Sequence, residues 1–267
     1  MPIDLGPFAG RLSAHLGFLY TEHPLPERFA AAAENGFRIV EHPNLFAHAA
    51  NEIAGWLAAS GLTLVQTSFP AGETARGEKG FAALPDRAGI FRESVEPTLD
   101  FVEAIGGCRL VHAMAGVSPV GVQQDRLLDI YRESLAYAAD AAARRNIEIM
   151  IEPIGPGSIA DYIVDDPLLA IRLIREVGRP NIKLLFDAYH CHCLGHDPAS
   201  LIREHAPLIA HVQIADDPGR HEPGTGTIRF EPIFEALAEA GYEGAIGCEY
   251  HPADTTEEGL GWIRGAA

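Results

Sequence analysis

The sequence predicts an α/β protein folded as a single (β/α)8 TIM barrel over residues 1–267. Three observations predict it. Short apolar runs alternate with longer amphipathic segments eight times along the chain, a pattern that calls for parallel strands joined by crossover helices. A barrel of eight such units needs about 250 residues, and the chain has 267. The rival arrangement, an open doubly wound sheet, would carry a glycine-rich phosphate turn after an early strand. Neither G-x-G-x-x-G nor a Walker sequence is present.

The first expected strand is Leu12 to His15, followed by a helix opened by Pro26 and closed at Asn35-Gly36. Proline suits a first helical turn, and Asn-Gly favours the left-handed conformation that ends one. Phe37 to Glu41 is the second strand, Asn51 to Ser60 a helix stopped by Gly61, and Leu62 to Thr67 the third strand. A long helix from Asp86 to Ile105 ends at Gly106-Gly107 and leads into strand four, Arg109 to Met114. The next helix, Gln124 to Arg145, places Leu127, Leu128, Tyr131, Leu135 and Ala138 on one face. Strand five is Ile147 to Ile151, strand six Lys183 to Phe186, strand seven Ile209 to Ile214 and strand eight Ala245 to Tyr250. Helices over Pro167–Val177, Ala199–His205 and Phe230–Ala240 separate them, and a short helix from Thr256 closes the chain.

Composition narrows the partners. Hydrophobic residues make up 47% of the chain, enough for one large core, and the formal net charge is -17. So acidic a surface repels phosphate backbones and anionic membranes, which leaves a small molecule as the expected partner and homo-oligomerisation open. An anionic substrate then needs local positive charge. No run approaches the ~18 apolar residues of a membrane span, and the N-terminus lacks the basic start and long apolar run of a secretory signal. The expected compartment is the cytoplasm, with the four cysteines as thiols.

The ends of the last four strands carry the chemistry. Glu152 follows I-E-I-M-I, Asp187 follows K-L-L-F, Gln213 lies in H-V-Q-I and Glu249 in G-C-E-Y. In a closed barrel the reactive face is the C-terminal end of the strands, where these four oxygen-bearing side chains would converge. Any one alone is an ordinary solvated residue or helix cap. Three carboxylates and an amide in one mouth repel unless a cation joins them, and all-oxygen ligation suits a hard ion, Mg2+ or Mn2+. The run His190-Cys191-His192-Cys193 invites a zinc reading, but alternating ligands on a strand would point to opposite faces.

At these residues the chain resembles the hydroxypyruvate isomerase family of the xylose-isomerase-like barrels. The matching stretches are G-F-R-I-V-E at 36–41, P-A-G-E-T-A-R-G-E-K-G at 70–80, I-E-P-I at 151–154 and F-D-A-Y-H at 186–190, then H-V-Q-I-A-D at 211–216, E-P-G-T-G at 222–226 and G-C-E-Y at 247–250. The stretch from Gln213 to Gly226 is the most specific, because related epimerases usually carry histidine in place of Gln213. The resemblance implies that Glu152, Asp187, Gln213 and Glu249 ligate one metal, that Glu152 and Glu249 form the acid/base pair, and that His190 and Arg220 lie near the substrate. Two positions depart from the family: Thr67 stands where relatives tend to carry histidine, and Leu45-Phe46 where they often carry Pro-Tyr. Both would face the substrate.

The expected reaction is an aldose–ketose type isomerisation of a small hydroxy-carbonyl acid, hydroxypyruvate to tartronate semialdehyde or a 2-oxo-tetronate. A metal gripping both oxygens acidifies the intervening C–H and stabilises an enediolate, while Glu152 and Glu249 move the proton between carbons. Arg220 would grip the substrate carboxylate. His190, on the loop leaving strand six, would bind a substrate oxygen, and Glu41 would bind a substrate hydroxyl or hold His190 from behind. The turn Pro223–Gly226 would place Arg220, and the loop 70–80, with Gly72, Arg76 and Gly80, is long enough to close over the mouth. A ketose 3-epimerase or inosose-type dehydratase would use the same scaffold. A metal-dependent DNA-repair endonuclease would need a His-rich zinc cluster and a basic face, and a non-catalytic sugar-binding barrel would have lost one of the two glutamates.

Overall fold

The computed structural model describes residues 3–73 and 77–263. Its strands are β1 (Leu12–His15), β2 (Ile39–Glu41), β3 (Thr63–Leu64), β4 (Gln66–Ser68), β5 (Leu110–His112), β6 (Glu148–Ile151), β7 (Ile182–Asp187), β8 (Ile209–Ile214) and β9 (Ile246–Cys248). The α-helices are α1 (Leu25–Glu34), α2 (Ala50–Ser60), α3 (Ala88–Ile105), α4 (Gln124–Ala143), α5 (Pro167–Val177), α6 (Ala188–Cys193), α7 (Pro198–His205), α8 (Phe230–Glu239) and α9 (Thr256–Gly259). Strand and helix alternate, and the paired strands run parallel. This is the TIM-barrel class that the alternation predicts.

The residues cluster into two compact units. The first comprises Met1–His42, Ile53–Val65 and Phe186–Ala267 and holds the strand order β3-β2-β1-β9-β8. Its register sets Ser13 beside both Ile39 and Gly247, and Gly247 beside Gln213. The second comprises Pro43–Glu52 and Gln66–Leu185 and holds β7-β6-β5-β4, with Ser68 beside His112 and His112 beside Met150.

Local chemistry accounts for the elements. Asp166 caps α5 by accepting from Leu168 and Leu169 N–H, Pro167 opens it, and Gly178 at φ 65° closes it. Apolar side chains of α5, among them Ile171 and Ile174, are buried while Arg172 and Arg175 face out, an amphipathic stripe at helical spacing. Thr255 and Glu258 cap α9 reciprocally. Central strands are apolar on both faces: Ile149, Met150 and Ile151 are all buried, as are Leu184, Leu185 and Phe186, which fits parallel strands covered by helices.

Two expectations need correction. The third strand divides at Val65, its first part pairing with β2 and its second with β5. Residues 188–193, read as loop, form α6. The side chain of Asp187 accepts from Tyr189 N–H at 2.8 Å and so starts a helix at the last residue of the strand. The strand argument against a zinc site at His190-Cys191-His192-Cys193 therefore fails. The helix disperses these consecutive side chains around its axis instead, with His190 and Cys191 buried and Cys193 exposed.

Candidate active site

Each sequence-predicted site residue stands at the C-terminal end of its own strand or on the segment that follows, His190 within α6 and Arg220 on the loop after β8. Glu41 and Asp187 are the last residues of β2 and β7, Gln213 is the last but one of β8, and Glu152 and Glu249 directly follow β6 and β9. The first unit brings six of the seven together: Glu41, Asp187, His190, Gln213, Arg220 and Glu249.

Their centre is Arg220. Its Nη2 lies 3.2 Å from Asp187 Oδ2 and 3.3 Å from Glu249 Oε2. The guanidinium carbon sits 5.0 Å from the ring centre of Phe18 and 5.3 Å from that of Tyr189, within cation–π range. Arg220 has φ 54°, the left-handed region that costs a residue with a Cβ about 1–2 kcal/mol. Asp216 holds the backbone there. Fully buried, it accepts from Asp217 and Ile228 N–H on Oδ1, at 2.9 and 3.0 Å, and from Gly224 and Gly226 N–H on Oδ2, both at 2.8 Å. The loop that the Pro-Gly-Thr-Gly turn was expected to shape is thus wound on one carboxylate.

Asp187 divides its two oxygens. Oδ1 caps α6, and Oδ2 faces Arg220 and, at 3.6 Å, His190 Nε2. His190 is pushed down to about 4 by burial and by Arg220, against the pull of Asp187, and so is neutral at pH 7. Glu249 is pushed up to about 8, by burial first and then by Asp187 and Glu41, with Arg220 opposing. Its Oε1 lies 3.6 Å from His15 Nε2. Its Oε2 is buried and, although near Arg220, makes no hydrogen bond.

Behind these lies Glu41, with 0% exposure. Gln213 Nε2 donates to its Oε1 at 2.7 Å, and His211 Nε2 meets its Oε2 at 2.8 Å. Burial alone would raise its pKa, but His211, His15 and the Gln213 amide together hold it at about 2. With its amide nitrogen on Glu41, Gln213 keeps its carbonyl oxygen buried and without a donor.

Glu152 belongs to the second unit, together with Thr67 and the Leu45-Phe46 pair. Its Oε2 lies 3.6 Å from His112 Nδ1, the last residue of β5. Burial pushes His112 down to about 3, so it is a neutral neighbour, and its Nε2 has no partner. Tyr162 donates none of its acidity here: burial and the charge of Glu152 raise it far beyond the ordinary range, and its hydroxyl accepts from Ala115 N–H at 3.0 Å. Thr67 is buried with an unpartnered hydroxyl, Leu45 is fully buried, and Phe46 packs 4.9 Å from the ring of Phe101. Of the loop 70–80, Arg76 and its two preceding residues lie outside the described residues.

Sequence reasoning missed His15, His112, His211 and Asp216. The histidines left a signal. His15 and His112 are the final residues of their strands, as Glu41 is, and His211 stands two before Gln213, hence on the same face of its strand.

Comparisons with known proteins identify the family. A family model described as xylose isomerase-like TIM barrel matches residues 29–266. The 2-oxo-tetronate isomerase of Cupriavidus necator is 40% identical, covering 95% of this chain and 97% of that protein. The hydroxypyruvate isomerase of Escherichia coli is 34% identical, covering 95% and 98%. Among solved structures, one titled AP endonuclease, family 2, from Brucella melitensis superposes with a TM-score of 0.92 at 36% identity, covering 96% and 98%. The 3-keto-D-glucoside 4-epimerase of E. coli shares the fold, with a TM-score of 0.80 at 22% identity. Among the described residues no helix is long and apolar enough to cross a membrane. The resemblance carried by the sequence motifs is borne out: the chain belongs to the xylose isomerase-like TIM-barrel family and, within it, to the hydroxypyruvate isomerase group of isomerases.

Proposed function

We propose that the chain interconverts a small hydroxy-carbonyl acid with its carbonyl isomer, either hydroxypyruvate with tartronate semialdehyde or a 2-oxo-tetronate with its partner. One divalent cation, Mg2+ or Mn2+, would be held by Glu152, Asp187, Gln213 and Glu249. The observation that carries the reading is the meeting of Asp187 and Glu249 on Arg220, at 3.2 and 3.3 Å, together with the buried, donorless carbonyl oxygen of Gln213 in the same unit.

The donor set fits such an ion. All four atoms are oxygens, which hard cations prefer. Buried oxygens of Gln213 and Glu249 lack hydrogen bonds, and a buried acceptor left so is costly unless something else satisfies it. The upward push on Glu249 to about 8 reflects burial beside other carboxylates, the kind of crowding a cation relieves. When bound, the ion would polarise the neighbouring carbonyl and hydroxyl oxygens of the substrate.

The chain's own groups do the rest. One of Glu152 and Glu249 takes the proton from the hydroxyl-bearing carbon, and the other returns a proton at the former carbonyl carbon; the hydroxyl proton passes between the two oxygens. Arg220, fixed between two aromatic rings, supplies the positive charge that a substrate carboxylate needs in a protein of net charge -17. His190, neutral and buried, meets a substrate oxygen without adding charge. Glu41, with both oxygens engaged in the interior, takes a positioning role instead of touching substrate. The names of the relatives at 40% and 34% identity support the substrate class.

The test is an isomerase assay on hydroxypyruvate and on 2-oxo-tetronates, with added Mg2+ or Mn2+ and with chelator. Turnover that chelator abolishes is the expected result. No turnover of either substrate class with any divalent ion would sink the reading.

A further inference from the structure

The side chain of Glu41 crosses two strands to reach Gln213. Along the order β2-β1-β9-β8, Glu41 stands on the first strand and Gln213 on the last. At the level of Gln213, the two intervening strands carry Ser13 and Gly247, both small. A Cβ on Gly247 would lie 2.5 Å from Glu41 Oε1, 2.7 Å from its Oε2 and 2.8 Å from Gln213 Cγ. The missing side chain of Gly247 is the space in which the pair meets. Both oxygens of Glu41 are occupied, by Gln213 Nε2 at 2.7 Å and by His211 Nε2 at 2.8 Å.

A primary amide has one donor end and one acceptor end. A carboxylate accepts only, so it fixes which end of a neighbouring amide faces it. With its nitrogen turned inward onto Glu41, Gln213 turns its oxygen outward, and that buried oxygen has no donor. We infer that Glu41 and Gly247 form a positioning device that sets the polarity of the Gln213 amide, so that its oxygen and not its nitrogen is presented to a divalent cation. The inference rests on the reading of Gln213 as a ligand. A histidine ligand offers a nitrogen lone pair directly, whereas an amide must be held oxygen-first; Glu41 supplies that hold.

The test is Mn2+ affinity by calorimetry, with thermal unfolding of the metal-free protein measured alongside. Glu41→Gln removes the acceptor-only partner, since an amide can face Gln213 with either end. It is expected to weaken Mn2+ binding about 10–100-fold, as loss of an orienting neighbour behind a ligand does, with metal-free unfolding reported separately. The exchange Glu41→Gln with Gln213→Glu keeps the net charge and restores a donor–acceptor pair, so its affinity should exceed that of the single variant. A crystal structure of the wild-type protein with Mn2+ decides the matter even where a variant does not fold: Gln213 should meet the ion through oxygen while its nitrogen stays on Glu41. Unchanged affinity in folded Glu41→Gln, an exchange variant no better than the single one, or Gln213 turned away from Glu41 in the Mn2+ structure overturns the inference. Wild-type protein that binds no Mn2+ would instead refute the metal reading, and this inference with it.

Discussion

Replacing Asp216 with asparagine tests whether one buried carboxylate winds the loop that carries Arg220. Asparagine keeps the size and shape, but one of its two terminal atoms becomes an NH2 group. Two backbone N–H groups now point at each oxygen of Asp216, at 2.8–3.0 Å. Whichever way the amide turns, two of the four donors lose their acceptor and face another donor. A hydrogen bond to a charged group is worth about 1.5–3 kcal/mol, so the loss is about 3–6 kcal/mol. Gly224 to Thr227 are exposed, and water can satisfy part of the freed backbone, which favours the lower half of that range. In a chain of this size about 1 kcal/mol lowers Tm by roughly 2 °C, so calorimetry should show a fall of about 6–9 °C. Arg220 should shift with its backbone, and isomerase turnover should fall with it. Gly226→Ala should act in the same direction, because its Cβ would overlap the Asp217 carbonyl and approach Asp216 Oδ1 at 2.7 Å. A Tm change below roughly 2 °C in Asp216→Asn, with turnover intact, would refute the claim that these four bonds hold the loop.

Three further outcomes are expected. Glu152→Gln and Glu249→Gln should each lower kcat by about 10²–10⁴-fold, the usual share of acid–base catalysis, while circular dichroism stays that of the wild type; near-wild-type kcat in either removes the paired-glutamate mechanism. Metal-free protein should weaken in acid. His15, His112 and His190 are held to about 4, 3 and 4, against 6.5 in the unfolded chain, so their contribution is full above pH 6.5 and is lost as pH falls through those values. Glu249, raised to about 8, acts in the opposite sense between pH 4.5 and 8, and three histidines outweigh it; equal urea midpoints at pH 7 and pH 4.5 would contradict the balance. Finally, Mn2+ binding at pH 7 should release protons, because Glu249 without an ion holds its proton up to about 8 and a ligand must give it up. Calorimetry in buffers of different ionisation enthalpy reads this directly, and an enthalpy independent of buffer would rule it out.

What the sequence revealed, and what it hid, follows from how far each cause reaches along the chain. The strands were legible because apolar runs are local: Ile209–Ile214 and the helix Pro167–Val177 fall where periodicity and the Asp166-Pro167 start place them. Polar residues ending those runs were legible for the same reason, since a carboxylate closing an apolar strand is a local anomaly. The helix at Ala188–Cys193 was hidden because its cause is the Asp187 side chain, which serves at once as N-cap and as partner of Arg220. Only six residues long, it gives periodicity nothing to detect.

Glu41 shows the deeper limit. Its position at the end of β2 was readable, but its partner Gln213 is 172 residues away and three strands across. Sequence spacing carries no trace of that bond. It does carry a trace of the room the bond needs, because Gly247 opens the G-C-E-Y motif at the level of Gln213. That glycine has no turn to make: it lies inside β9, where glycine weakens a strand and therefore marks a close approach. The motif that carries Glu249 thus also reports, two residues earlier, the clearance for the Gln213 amide. Motif residues with no chemistry of their own are where the packing behind a site becomes readable, and Gly247→Ala, which adds no charge and replaces no proposed ligand but would set a Cβ 2.5 Å from Glu41 Oε1 and 2.8 Å from Gln213 Cγ, is the substitution that tests this clearance.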